Sequence, residues 1–176
     1  MCAEHCLAKN EDFAILFGDD LIKSTKPALA QLINVYKKTN SSVIGVQKIL
    51  KKEIENYGVI DYIGKINQSA IQIKALVEKP KATEAPSSLG IVGKYICKYN
   101  IFNAIKNGNK SSGGELRLID GFKYLIEKKQ EKIFSKILTG IRYDTGSKAG
   151  WLKANIAFAL EDTLFKKEIL NFIKTL

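Results

Sequence analysis

Apolar positions along the chain fall into short continuous runs that alternate with stretches of helical spacing. Phe13-Ala14-Ile15-Leu16-Phe17 is uninterrupted and stops at Gly18-Asp19-Asp20, the pattern of a strand buried on both faces of a mostly parallel sheet. From Lys26-Pro27 onward, Ala28, Leu29, Leu32, Ile33 and Tyr36 recur at helical spacing, and Thr39-Asn40 end the run. Ser42 to Gln47 reads as a second buried strand, so strand, helix and strand form a βαβ unit with a right-handed crossover. A short helix is expected near Lys51 to Asn56. Tyr57 to Tyr62 and Ile71 to Glu78 then read as extended segments, paired as a hairpin on the sheet's edge. Pro80 to Ser88 is the clearest loop, and Leu89 to Ile96 the next strand. A helix is expected from Asn100 to Lys106, then a polar loop over Gly108 to Gly114, then a longer helix carrying Leu116, Ile119, Phe122, Leu125 and Ile126. Ile133 to Tyr143 reads as one more strand, which delivers Asp144-Thr145-Gly146 to a loop. Two amphipathic helices, Trp151 to Leu160 and Leu164 to Leu176, close the chain. The fold class this predicts is α/β, with helices flanking a mixed, mostly parallel sheet.

Composition narrows the class. A chain of 176 residues, 45% apolar and 26% charged, is long enough for a real core and is expected to form a single domain over 1–176. No apolar run approaches the ~20 residues that cross a bilayer, so no membrane partner is expected. The first residues show neither a basic nor an apolar leader region, which gives a cytoplasmic expectation with the three cysteines as free thiols. The net charge of +10 raises nucleic acid as a partner. Its make-up argues against that, because only Arg117 and Arg142 are arginines and the lysines are scattered singly or in pairs on helix faces. Trp151 and the Tyr and Phe residues, set at helix or strand spacing, are expected in the core rather than on a base-stacking platform. Cys2, His5 and Cys6 lack a nearby fourth ligand for zinc, and Cys97 within a strand reads as a small buried hydrophobe.

The candidate chemistry lies at strand ends, where open α/β sheets bind their ligands. Asp19, Asp20 and Asp144 occupy such positions. Two separated carboxylates converging there suit Mg²⁺, which takes one or two protein carboxylates and completes its shell with water and phosphate oxygens. An acid after a strand equally serves as a helix cap or an Asx-turn. Glu78-Lys79-Pro80 ends a strand with an acceptor for hydroxyls, a compact cation for phosphate and a residue that turns the chain away. Glu and Lys at a strand exit are also commonly just solvated.

The order of these segments resembles the bacterial UTP–glucose-1-phosphate uridylyltransferases. The likeness is carried by Phe13 to Asp20, Ser42 to Val46, Tyr57-Gly58-Val59-Ile60, Leu76-Val77-Glu78-Lys79-Pro80, Ile91 to Tyr95, Gly113-Gly114-Glu115-Leu116, Arg142 to Gly146, and Leu152-Lys153-Ala154-Asn155. It implies a Rossmann-like nucleotidyltransferase fold. It also implies a reaction in which the phosphate oxygen of glucose 1-phosphate attacks the α-phosphorus of UTP in line, giving UDP-glucose and pyrophosphate without a covalent enzyme intermediate. By that resemblance Asp19 and Asp144 hold Mg²⁺, Lys79 meets the sugar phosphate, and Glu78 with the backbone at Gly58 and Gly93 holds the sugar hydroxyls. Asp20 is a neighbour without an assigned role, Glu115 matches the family's Gly-Gly-Glu without an assigned chemical step and reads equally as structural, and Lys148 reads as a solvated surface lysine or as one that approaches a phosphate from the helix start.

Family members carry a Gly-x-Gly-Thr-Arg loop for the triphosphate, and the chain has none. Gly108 to Gly113 has the spacing of a phosphate loop, but Gly114-Glu115 stands where Lys-Ser/Thr is required. The expectation is therefore an incomplete fold comprising the C-terminal portion of the domain, with an open sheet edge and exposed apolar surface. Such a chain is a truncated uridylyltransferase, a sugar-phosphate-binding fragment, or half of a split enzyme; the macromolecular partners expected are a second copy in a homo-oligomer or a complementing N-terminal fragment. A basic nucleic-acid-binding module is the remaining alternative.

Overall fold

The computed structural model describes residues 2–109, 114 and 116–175. The chain divides into two compact units, one comprising Met1–Leu16 and Lys26–Thr139, the other Phe17–Thr25 and Gly140–Leu176.

The larger unit is built on strands β1 (Phe13–Leu16), β3 (Val43–Lys48), β4 (Gly58–Ile63), β5 (Ile71–Glu78), β6 (Leu89–Cys97) and β7 (Phe134–Ile137), with helices α1 (Ala28–Thr39), α2 (Ile101–Asn107) and α3 (Leu118–Glu127); β2 (Asp20–Lys23) belongs to the smaller unit. The sheet order is β1-β6-β3-β7-β5-β4, and β4 pairs back onto β6 through Val59 and Gly90. Strand β5 occupies the predicted residues. The hairpin it makes with β4 is also as read, but the return of β4 to β6 rolls the sheet instead of leaving the hairpin at its edge.

Strand direction departs from the expectation of a mostly parallel sheet. Among the described strands only β3 and β7 pair in parallel; β1–β6, β3–β6, β4–β5, β4–β6 and β5–β7 are antiparallel. The βαβ reading correctly gives β1 and β3 the same direction, but β6 lies between them and pairs antiparallel with both. Nor is β1 buried on both faces. It is the edge strand, half-buried and exposed residues alternate along it, and Leu16 stands open to solvent.

Helix α1 buries Ala28, Gln31, Leu32 and Val35, one stripe at helical spacing. It ends at Asn40 in the left-handed region, whose N–H donates to Tyr36 O at 2.7 Å. Gln31 is the polar member of that stripe, and all its hydrogen-bonding groups are used. Its amide N–H groups donate to the carbonyls of Lys26 and Thr139, and its Oε1 accepts from the N–H and hydroxyl of Thr139. Helices α2 and α3 pack on each other and contribute Ile101, Phe102, Phe122 and Leu125 to a core shared with Ile44, Val46, Ile60, Ile71 and Leu89 of the sheet. Val43 alternates to the opposite face, on the side where α1 packs against β3, β6 and β7.

Cys97 closes β6 inside this core, as expected of a small hydrophobe, and burial, with a lesser push from Glu131 and Asp12, raises its thiol pKa well above the ordinary value. Cys2 and Cys6 are exposed. Titration of the folded chain with a thiol reagent at pH 8 is therefore expected to label Cys2 and Cys6 quickly and Cys97 only after denaturant is added; fast reaction of all three would contradict the packing of β6.

The smaller unit holds β2 and β8 (Ile141–Asp144), an antiparallel pair, with helices α4 (Lys148–Ala159) and α5 (Thr163–Ile173). The segment read as one strand from Ile133 to Tyr143 is thus two strands in different sheets. They are separated at Gly140, whose φ of +121° and whose close approach to Lys23 O exclude a side chain. The closing helices also differ from expectation. Among described residues α4 buries only Ala154 and α5 buries none, so Trp151, expected in the core, is 56% exposed, and Phe158, Phe165 and Phe172 are exposed with it. Tyr95 and Phe122, by contrast, stack in the core of the larger unit.

Candidate functional site

The sequence-predicted residues fall into two groups, one in each unit. In the smaller unit the acids are set by the β2–β8 register, which places Asp20 opposite Asp144. Asp20 opens β2 rather than ending a loop. It is 6% exposed, and its Oδ1 accepts a 2.6 Å hydrogen bond from Arg142 Nε, so this acid is committed to a buried ion pair.

Asp19 and Asp144 are both exposed. Thr145 joins the two segments. Its N–H donates to Asp19 O at 2.7 Å and its hydroxyl to the same oxygen at 3.0 Å. Asp144 Oδ1 accepts the Gly146 N–H at 3.1 Å, an Asx-turn. Ser147 then caps α4 by accepting the Gly150 N–H, while its hydroxyl donates to Asp144 O. A Cβ on Gly146 would lie 3.2 Å from Asp144 Oδ1 and 3.5 Å from Asp19 Oδ2. The glycine therefore keeps open a point on which both carboxylates converge. Two exposed hard-oxygen donors flanking an open point match the needs of Mg²⁺, which leaves several positions to water and phosphate. Among the described residues no group of three or more His, Cys, Asp and Glu could hold a metal, and Cys2, His5 and Cys6 form none. Lys148, in the first turn of α4, is exposed.

In the larger unit the hairpin register sets Gly58, first residue of β4, opposite Glu78, last residue of β5. A Cβ on Gly58 would stand 3.0 Å from Glu78 Oε2, 3.0 Å from Ile119 Cδ1 and 3.2 Å from Ile91 Cδ1. The missing side chain is the space the Glu78 carboxylate uses, above an apolar floor. On its other oxygen, Oε1 accepts a 3.2 Å hydrogen bond from an Arg117 guanidinium nitrogen. Arg117 is itself held at the start of α3, where its N–H donates to Asp120 Oδ2. Lys79 follows in the left-handed region at φ +44°, with its N–H donating to Tyr57 O and its side chain exposed, and Pro80 is buried behind it. Gly93 lies buried in β6, two residues beyond Ile91. The structure thus assembles Gly58, Glu78, Lys79 and Arg117, with Gly93 on the strand that β4 meets. Glu115 and most of the Gly108 to Gly113 loop lie outside the described residues.

Sequence reasoning missed Arg117, Arg142 and the tethering role of Thr145. A signal for the first two was present: in a chain whose other cations are lysines, each arginine pairs with an acid of a strand-end motif. Changing Arg117 to Gln should free the Glu78 carboxylate to swing. The expected result is a five- to tenfold weaker grip on a hydroxyl-bearing ligand at about 1 kcal/mol, with little change in melting temperature, measured by titration calorimetry and thermal denaturation.

Residues 1–159 match the nucleotidyl transferase family. The UTP–glucose-1-phosphate uridylyltransferase of Mycoplasma genitalium is 40% identical over 166 residues, covering 93% of this chain and 56% of the relative. That of Mycoplasma pneumoniae is 41% identical over 167 residues, covering 94% and 57%. The chain therefore spans little more than half the length of these relatives. Among solved structures, a UDP-glucose pyrophosphorylase from Acinetobacter baumannii superposes with a TM-score of 0.86 at 28% identity, covering 99% of this chain and 59% of that one. A UDP-glucose pyrophosphorylase complexed with UDP-glucose gives 0.81 at 29%, covering 91% and 60%. A mixed sheet with flanking helices and a family match over nine-tenths of its length together show that this chain belongs to the nucleotidyl transferase family.

Proposed function

We propose that residues 1–176 are the C-terminal portion of a cytoplasmic UTP–glucose-1-phosphate uridylyltransferase, supplying the sugar-phosphate half of the site and the acids that hold Mg²⁺. The observation that carries this reading is the Gly58–Glu78–Lys79 corner, in which a carboxylate fixed by Arg117 stands beside an exposed cation. Glu78 accepts hydrogen bonds from sugar hydroxyls, with backbone groups at Gly58 and Gly93 completing the contacts. Lys79 neutralises the phosphate, and the charge on Arg117 offsets that of Glu78 so that the anionic ligand is not repelled. Asp19 and Asp144 are the carboxylates that would take Mg²⁺, which when bound offsets charge on the reacting phosphates.

In the reaction a phosphate oxygen of glucose 1-phosphate bonds to the α-phosphorus of UTP as the bond to pyrophosphate breaks. The protein's part is positioning and charge neutralisation. Since these 176 residues contain no Gly-x-Gly-Thr-Arg loop, a second reading is favoured by that same observation: sugar-phosphate binding without turnover until another segment or chain supplies the loop.

The test is glucose 1-phosphate binding to the folded chain, followed by amide NMR, with pyrophosphate release from UTP and Mg²⁺ assayed alongside. Saturable shifts around Gly58, Glu78 and Lys79 are expected, whereas a folded chain that binds no sugar phosphate would overturn both readings. Pyrophosphate release by the chain alone would decide for the first reading. Release only after a Gly-x-Gly-Thr-Arg segment is added would decide for the second.

A further inference from the structure

A cavity of about 220 Å³ in the larger unit shares no residue with the Gly58–Glu78–Lys79 corner. Its walls carry Lys26, Lys38 and Lys136 together with Asn34, Ser69 and Thr139, and no acidic residue lines it. Among the described residues neither Lys38 nor Lys136 enters an ion pair.

The lining is fixed at several points. Lys38 and Asn34 lie one turn apart on α1, Lys136 is held in β7 by its pairing with β3, and Lys26 and Thr139 are tied through the buried side chain of Gln31. Gln31 spends its amide on those two backbone carbonyls and its oxygen on Thr139 alone, so two wall segments distant in sequence are locked in one geometry. The ligand is defined by what the walls offer: the ammonium groups, the Asn34 carboxamide and the Ser69 hydroxyl as donors, the Thr139 hydroxyl being spent on Gln31, around a volume suited to one or two phosphate groups.

We propose that this cavity is a second anion site, binding a compact phosphate-type anion independently of the sugar-phosphate corner. Scattered surface lysines give weak, salt-screened attraction everywhere, whereas three lysines lining one cavity, with Val35 among its walls, give a saturable site.

The experiment titrates inorganic phosphate and pyrophosphate separately into the chain bearing Lys79→Gln, which silences the sugar-phosphate corner, in 0.1 M salt with amide NMR as readout. Saturable shifts of the Asn34, Ser69 and Thr139 amides are expected. The double variant Lys38→Gln/Lys136→Gln should weaken them about tenfold, while Lys166→Gln on α5 leaves them unchanged. The single Lys38→Gln variant, at an exposed position, gives a smaller loss in a chain whose fold is unaffected. Tighter binding of pyrophosphate assigns the site to a polyphosphate, and equal binding assigns it to a single phosphate group. Absence of shifts at these amides, equal affinity in the double variant, or an equal loss from Lys166→Gln would overturn the proposal.

Discussion

Replacing Asp19 or Asp144 by Asn is expected to abolish divalent-cation binding while leaving the melting temperature nearly unchanged, and replacing Asp20 by Asn is expected to do the reverse. The three acids are near neighbours and chemically identical, but their surroundings separate them. Asp19 and Asp144 are exposed and converge on the open point beside Gly146, so losing either charge removes half of the proposed donor set at little cost to packing. Asp20 is buried against Arg142. An amide there leaves the guanidinium without its counter-charge in a partly desolvated place, which costs on the order of 3 kcal/mol. Mn²⁺ titration followed by electron paramagnetic resonance, with thermal denaturation on the same samples, reads both effects. Loss of Mn²⁺ binding in Asp20→Asn with full stability would show that the two roles have been assigned the wrong way round. A companion change, Gly146→Ala, sets a methyl group between the two carboxylates and should weaken Mn²⁺ binding without touching either acid.

The contrast between Asp20 and its neighbours also marks where sequence stops being informative. Periodicity reports the type and extent of an element, and it placed α1, β5 and β6 within a residue or two. It does not report which strand lies alongside. A run such as Phe13 to Phe17 looks the same whether it sits at the centre of a parallel sheet or at the edge of an antiparallel pair, and here it is the edge. Nor did the apolar positions from Ile133 to Tyr143 show that the chain leaves one sheet for another. Gly140 was the only local sign, and its meaning depends on Lys23 and Ser24, more than a hundred residues earlier. The site follows the same division. Asp19, Asp144, Glu78 and Lys79 were legible because strand ends and a proline locate them. Gly58 came only with the family resemblance, and its geometric reason, the space it leaves for Glu78, needs the hairpin register. Arg117 and Arg142 needed partners across 39 and 122 residues of chain, which no local pattern encodes.

Lys79 offers the sharpest separation of function from stability. It is held at φ +44°, a conformation that costs an L-residue with a side chain about 1 kcal/mol and that glycine adopts freely. Its side chain is exposed and its N–H closes onto Tyr57 O, a bond that glycine keeps. Lys79→Gly should therefore leave the melting temperature equal or slightly higher. The same change removes the cation proposed to meet the phosphate, and a charge-assisted hydrogen bond of about 2–3 kcal/mol lost there weakens glucose 1-phosphate binding about 30- to 160-fold. Lys79→Gln keeps the strain and removes only the charge, so it should lose comparable affinity without any gain in stability. The ligand sharpens the test further: glucose lacks the phosphate, and its weak binding through Glu78 should be indifferent to both variants. A loss of affinity for glucose 1-phosphate and glucose alike would mean that residue 79 shapes the corner rather than supplies its charge. Unchanged glucose 1-phosphate binding in Lys79→Gly would remove the lysine from the site altogether.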